Sequence, residues 1–461
     1  MTSEALRAAT AKMHDAGVDD LAVRVFAGFH DQLAADVTGT IPEDTIEPLG
    51  EVATLRDVRT RDDAALRDAL ARTVVVKLNG GLGTGMGVQG PKSALEVRDG
   101  RTFLDIIADQ VLALRERYGV AVPLVLMNSF RTRAVSLEIL ARHAGLEVDG
   151  LPLDFLQNME PKLRSDDLAP VEWPADPELE WCPPGHGDVY VALQTSGILE
   201  RLRGRGHRYL FLSNADNLGA TCDPAIPAWM AAEGIPYVAE VSPRTVNDRK
   251  GGHLAVRRAD GRLVLRDSAM VEPGEEPLFQ DTERHRYFHT NNLWVDLDAL
   301  AARLDERDGV LGLPIIVNRK TVDPTRPDSP PVVQIESAMG AAVELFDGAR
   351  ALEVERSRFR PVKTTNELLL IRSDLYRIAE DGAVESVTGR PEPYVDLGPA
   401  YRLVHDFDAR FPRGVPRLRA CTSLRVEGDT TFGADVVCVG DVRVPPERRH
   451  VPDGARLEGD A

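Results

Sequence analysis

Cysteine is scarce in this chain: Cys182, Cys222, Cys421 and Cys438 are the four in 461 residues, far apart and without a CxxC pair. That excludes a dense disulfide framework and a Cys-rich zinc site, and buried reduced thiols are the expectation. No apolar run approaches the roughly 18 residues that a membrane-spanning helix needs. The opening residues also lack a basic stretch followed by an apolar segment, so a cytoplasmic location is expected. Positive charge is short as well, with 55 Lys and Arg against 73 Asp and Glu and a formal net charge of -18. A nucleic-acid footprint or an anionic membrane surface requires a basic face, so neither partner is expected. An anionic substrate must therefore meet a local cationic pocket. Lysine is the rarer base, seven of the 55, and in such a chain a Lys marks a place for a compact, mobile ammonium. Lys77, Lys92, Lys250 and Lys363 each stand beside a glycine, a proline or a strand end.

What is present is ordinary globular composition, 43% hydrophobic and 28% charged, at a length that suits two or three domains. Residues 3–33 carry apolar side chains near helical spacing before Pro42 and Pro48 break the pattern, and 62–72 reads as one more helix. Apolar runs at 73–78 (TVVVKL), 122–127 (VPLVLM), 209–212 (YLFL), 237–241 (YVAEV) and 293–295 read as buried strands, with helical segments at 102–118 and 132–143. Strands alternating with helices predict an α/β fold with a mostly parallel, Rossmann-like sheet, in which ligands bind beyond the carboxyl ends of the strands. After about Asp381 the texture changes to short Val-rich pieces separated by glycines, spaced like imperfect turns of a β-helix; a small antiparallel sheet is the alternative. The expected division is a helical section at 1–70, a catalytic α/β domain at 71–380 and a C-terminal β module at 381–461.

The densest signal is the loop that leaves the first strand, Lys77-Leu-Asn-Gly-Gly-Leu-Gly-Thr-Gly-Met-Gly-Val-Gln-Gly-Pro-Lys-Ser93. Glycines let backbone N–H groups approach phosphates or a base, and Lys92 adds a point charge. Pro91 spoils a Walker A motif. Gly85, Gly87 and Gly90 match GxGxxG, yet a dinucleotide fingerprint needs a helix opening there, and SALEV follows instead.

The loop LNGGLGTGMGVQGPKS resembles the signature of the eukaryotic-type UDP-glucose pyrophosphorylases, the UTP-glucose-1-phosphate uridylyltransferases. The resemblance continues through IPEDTIEPL (41–49), PPGHGDVY (183–190), SNADNLGA (213–220), RKGGHL (249–254), HTNNLWV (289–295) and RFRPVKTTNELLL (358–370), in order along nearly the whole chain. It implies a nucleotidyltransferase-type fold, a C-terminal module similar to a left-handed β-helix, and Mg2+-assisted synthesis of UDP-glucose and pyrophosphate from UTP and glucose 1-phosphate. Homo-oligomerisation is open. So are a broader sugar range, a non-catalytic nucleotide-sugar binder, and a nicotinamide-dependent oxidoreductase resting only on GMGVQG.

Residue by residue, Asp216 follows the 209–212 strand, where a carboxylate can hold a metal or merely cap a helix; the resemblance makes it the metal ligand, with Asn214 near the nucleotide. Leu78, Asn79, Gly80, Gly81 and Gly185 are expected around the nucleotide, and Gln157 is expected to read uracil. His186, exposed between Gly185 and Gly187, is implied at the sugar phosphate, with Asp188 either orienting it or capping the next segment. Asn291 and Asn292 offer paired amides to sugar hydroxyls, or form an Asx turn at a strand start. Lys92, Lys363 and Lys250 are the expected catalytic cations, Lys363 between the sugar phosphate and the α-phosphate. RKGGHL equally suits a surface loop.

Overall fold

The computed structural model describes residues 4–37, 39–88, 90–245, 248 and 251–460. A seven-stranded sheet organises them. In chain order its strands are β1 (Thr73–Asn79), β2 (Leu124–Asn128), β3 (Asp154–Leu156), β4 (Tyr209–Asn214), β5 (Tyr237–Pro243), β6 (Tyr287–Asp296) and β7 (Arg350–Glu353). They lie side by side as β7-β5-β6-β4-β1-β2-β3. All neighbours are parallel except that β6 runs against both β4 and β5.

Alternation along the strands supplies two apolar faces. Val75, Leu124, Leu126, Phe211 and Trp294 face the helices Phe103–Tyr118 and Ala225–Glu233, while Val74, Val76, Val125, Leu210, Leu212 and Val295 face Val189–Thr195, Ile198–Gly204 and Leu297–Glu306. The crossover helix Phe103–Tyr118 starts on a capping box between Thr102 and Asp105 and stops at Gly119, whose φ is +66°. The amino-terminal section is two helices, Glu4–Asp15 and Asp20–Ala34, broken at Gly17. Their apolar residues pack on Leu163, Ile315, Val333 and Ile335 of a small sheet beside the main one.

In the C-terminal region β8 (Tyr394–Asp396), β9 (Arg417–Val426), β10 (Val437–Val444) and β11 (Arg456–Asp460) pair only in parallel, as do the short strands Thr431–Phe432 and His450–Val451. The antiparallel alternative therefore does not hold. The expected independence is also limited, because Leu397, Tyr401, Leu418 and Leu424 continue the core formed by Leu368, Leu369 and the Phe103–Tyr118 helix.

Candidate active site

The carboxyl ends of β1, β2, β3 and β4 open on one side, and the polar segments that follow them converge there. The glycine loop leaves β1 at Asn79 and folds back on itself: Lys92 N donates to Gly81 O at 3.4 Å, and Leu82 bridges Pro91. Lys92 opens a 3-10 turn, Lys92–Ala94, and the strand Glu96–Arg98 comes after it, so no helix opens behind Gly90. Leu78, one residue before the end of β1, is buried. The Asn79 side chain is a structural knot: it donates to Asn128 Oδ1 and Ser136 Oγ, both at 2.7 Å, and accepts from Ser93 Oγ. What Asn79 offers a nucleotide is therefore its backbone. Gln157 lies directly over Gly80, where an added Cβ would meet its Oε1 at 2.3 Å. Gly81 faces open space.

After β4 the chain turns through Asn214 and Asp216. Lys92 Nζ pairs with Asp216 Oδ2 at 2.7 Å, two groups separated by 124 positions. The other oxygen, Oδ1, is buried and has no hydrogen-bond partner among the described residues. The Lys363 segment is stapled to this turn: Val362 N donates to Asp216 O at 3.1 Å and Asn217 bridges Pro361. Asn217 Oδ1 accepts from Arg360 N at 2.8 Å, and its Nδ2 donates to Arg358 O at 3.2 Å. Just beyond, Thr364 and Glu367 form the capping box of the helix Thr365–Arg372. Lys363 thus stands exposed between two fixed points, and it makes no ion pair among the described residues.

The loop carrying His186 is clamped against the strand Pro331–Ser337. A Cβ at Gly185, whose φ is +81°, would lie 2.7 Å from Ser337 O, and one at Gly187 would lie 2.4 Å from Ser337 Oγ, so both positions require glycine. His186 Nδ1 accepts from Met339 N at 2.9 Å. Burial lowers the pKa of His186, so the neutral ring carries its proton on Nε2 and can donate it. Asp188 neither orients this histidine nor caps the following helix by its side chain; its carboxylate accepts from Asn158 N at 2.6 Å and Nδ2 at 2.8 Å, fixing the segment after Gln157.

Asn291 and Asn292 lie inside β6, not before a strand. Because β6 is antiparallel, its beginning reaches the carboxyl ends of its neighbours. Ala239 pairs with Leu293 and Val241 with His289, so β6 bulges between them, and Asn291 takes a left-handed φ of +58°. The bulge separates the two amides. Asn292 is fully buried, donating to Glu240 Oε2 at 3.0 Å and Arg358 O at 3.3 Å, whereas Asn291 remains partly exposed. Lys250 lies outside the described residues.

A family model described as UTP–glucose-1-phosphate uridylyltransferase matches residues 23–438. The chain belongs to that family. A relative from Solanum tuberosum is 40% identical over 90% of this chain and 84% of its own length, and one from Saccharomyces cerevisiae is 39% identical over 84% and 77%. A solved UDP-glucose pyrophosphorylase from Leishmania major, in open and closed structures, superposes with a TM-score of 0.92 at 40% identity, covering 100% of this chain and 99% of that one. The uridylyltransferase therefore makes UDP-glucose from UTP and glucose 1-phosphate. Enzymes of the family generally need a divalent metal ion.

One residue beneath the candidate site, Glu240, carried no functional signal in the sequence. Glu240 binds Arg358 through two contacts, at 2.5 and 2.8 Å, and also accepts from Trp294 Nε1 at 2.9 Å. Asn217 ties the 358–361 segment to the turn that carries Asp216. In the sequence Asn217 stands within SNADNLGA, and Arg358 opens RFRPVKTTNELLL.

Proposed function

We propose that Asp216 holds Mg2+ and that Lys92 and Lys363 flank the phosphates in an in-line attack of glucose 1-phosphate on the α-phosphorus of UTP. The unpartnered Oδ1 of Asp216, beside a Lys92 ammonium, carries this reading. Among the described residues no cluster of three or more His, Cys, Asp or Glu could hold a metal. A single carboxylate with substrate phosphates and water completing the shell is the donor set that Mg2+ accepts. When bound, the ion would neutralise charge on the phosphate oxygens.

The remaining roles fall to the chain. The sugar phosphate is already an anionic nucleophile, so no general base is required; the task is to align two repelling anions. Lys92 is paired with Asp216, Asn217 ties the Lys363 segment to the same turn, and His186 offers its Nε2–H to the sugar phosphate. Asn291, the partly exposed amide, is the one assigned to sugar hydroxyls, and Asn292 supports it from the core. Gln157 over Gly80, with Gly81 and Gly185, frames the uracil side, and Asn214 stands near the nucleotide. The described cysteines are all free thiols, which suits a cytoplasmic location. The parallel C-terminal strands support a module similar to a left-handed β-helix from about residue 381, following a catalytic unit at 71–380 and a helical section at 1–70; assembly into homo-oligomers is compatible with it.

The test is pyrophosphate release from a panel of nucleotides crossed with sugar 1-phosphates, with and without Mg2+. Release with UTP and glucose 1-phosphate that collapses without Mg2+ is expected. Turnover indifferent to the ion would refute the metal assignment, and equal turnover with other sugar phosphates would replace the glucose preference by a broader one.

A further inference from the structure

Lys77 is the one charged side chain in β1 and is only 2% exposed. It shares its face of β1 with Val75, above the ring of Phe211, whose centroid is 5.5 Å from Nζ. Its ammonium donates to Ser213 Oγ at 2.8 Å and to Ala220 O at 2.6 Å. These two acceptors bracket the turn 214–219, which carries Asn214, Asp216 and Asn217. The charged and titratable groups around it are Arg358, Cys222, Glu240 and Asp216, and burial, with Arg358 next, lowers its pKa to about 7.

We propose that Lys77 is a positioning residue: its buried ammonium clamps both ends of the turn that carries Asp216, and so sets metal affinity and turnover from beneath the site. The proposal rests on Asp216 being the metal-holding carboxylate. A buried ammonium is costly, and an apolar residue of similar volume is often as stable or more so. Fold stability therefore gives little reason to place one in the middle of a buried strand. Geometry gives one, because a long, flexible ammonium can reach a hydroxyl on the neighbouring strand and a carbonyl seven residues further on, which no aliphatic side chain can do. With the clamp gone, Ser213 and Ala220 lose a shared donor, and the turn between them is free to open locally.

The test is Lys77→Met in the full chain, with Ser213→Ala as a milder variant that removes one contact only. Folded Lys77→Met is expected to lose about tenfold or more in kcat and to need several-fold more Mg2+ for half-activation, with KM for glucose 1-phosphate nearly unchanged. In metal-free protein, amide exchange is expected to accelerate by about tenfold over 213–220 and not elsewhere. Ser213→Ala should move the same quantities less far, and it decides the matter if Lys77→Met does not fold. Wild-type kcat, Mg2+ dependence and exchange in the folded variant overturn the clamp. Asp216→Asn separates the two ideas: if it keeps Mg2+-dependent turnover, the metal assignment is wrong, whereas an inactive Asp216→Asn beside a normal Lys77→Met removes the clamp alone.

Discussion

The central sheet joins its parallel strands through helices that cover both faces, while the C-terminal strands from Arg417 onward follow one another without any helix between them. In the first case the connections must leave the sheet at the strand ends, and those ends become a polar cleft. In the second, consecutive turns stack directly. Leu418, Leu424, Phe432, Cys438, Val442, Val444, Val451 and Leu457 close an apolar interior, and charged side chains such as Arg443 and Glu427 pair outside it. Exposed pairs of that kind contribute little. The same pairing thus produces a reaction centre where crossovers open the sheet and a sealed stack where they are absent. Substitutions in the two regions should accordingly separate into losses of activity, losses of stability, or both.

The largest effect is expected where a buried charge supports the cleft. Arg358→Met leaves Glu240 without its guanidinium at a site with no solvent, which typically costs about 3–5 kcal/mol. Thermal unfolding should fall sharply, and activity should fall with it because Asn292 shares the Glu240 carboxylate with Arg358. A normal melting temperature would show that the network tolerates the loss. Lys363→Ala comes next and should behave oppositely. Losing one preorganised donor costs about 3–4 kcal/mol of transition-state stabilisation, so kcat should drop by hundreds-fold while unfolding is unchanged, since the side chain is exposed and makes no ion pair among the described residues. Undiminished turnover would remove Lys363 from the mechanism. In the stack, Val442→Ala should cost about 2 kcal/mol of stability with turnover per folded molecule intact. Reduced turnover at full folding would reveal that the stack communicates with the cleft.

The same contrast explains what could be read before any coordinates. Features encoded within a dozen residues were legible: the glycine density after β1, the proline just ahead of Lys363, and the helix at Phe103–Tyr118. The Lys92–Asp216 pair was anticipated only as convergence at one end of the sheet, and there it lies. Strands β3 and β7 were missed, being three and four residues long and too short for a periodic signal. The direction of β6 was missed because direction is set by pairing partners, and with it went the reason that Asn291 and Asn292, inside β6, lie level with the carboxyl end of β4. Asp188, read as either orienting His186 or capping the next segment, was claimed by Asn158, 30 residues earlier. Hydrogen bonds of that span, like Lys77 with Ala220 across 143 positions, leave no local trace.

The smallest effect is one of pH, and Asp188 carries it. Burial raises its pKa to about 6, partly opposed by the hydrogen bonds from Asn158. For a carboxyl raised on folding, the native state holds more protons than the unfolded chain between the ordinary carboxylate range and the raised value. Its contribution to stability is then complete below about pH 4 and is lost as the pH rises through about 6. Glu160, buried nearby, is likewise raised by burial and by Asp188, so its contribution has the same sign. In the stack, Glu427 beside Arg443 and Asp453 with its backbone donor, Ala434 N, are lowered, so their contributions are lost only as the pH falls at the acid end. Asp188→Asn keeps an acceptor for Asn158 but cannot ionise. Denaturant unfolding from pH 4 to 6.5 should therefore show a shallower decline in the variant than in the wild type, and identical slopes would mean that Asp188 is ionised throughout, its burial offset in full by Asn158.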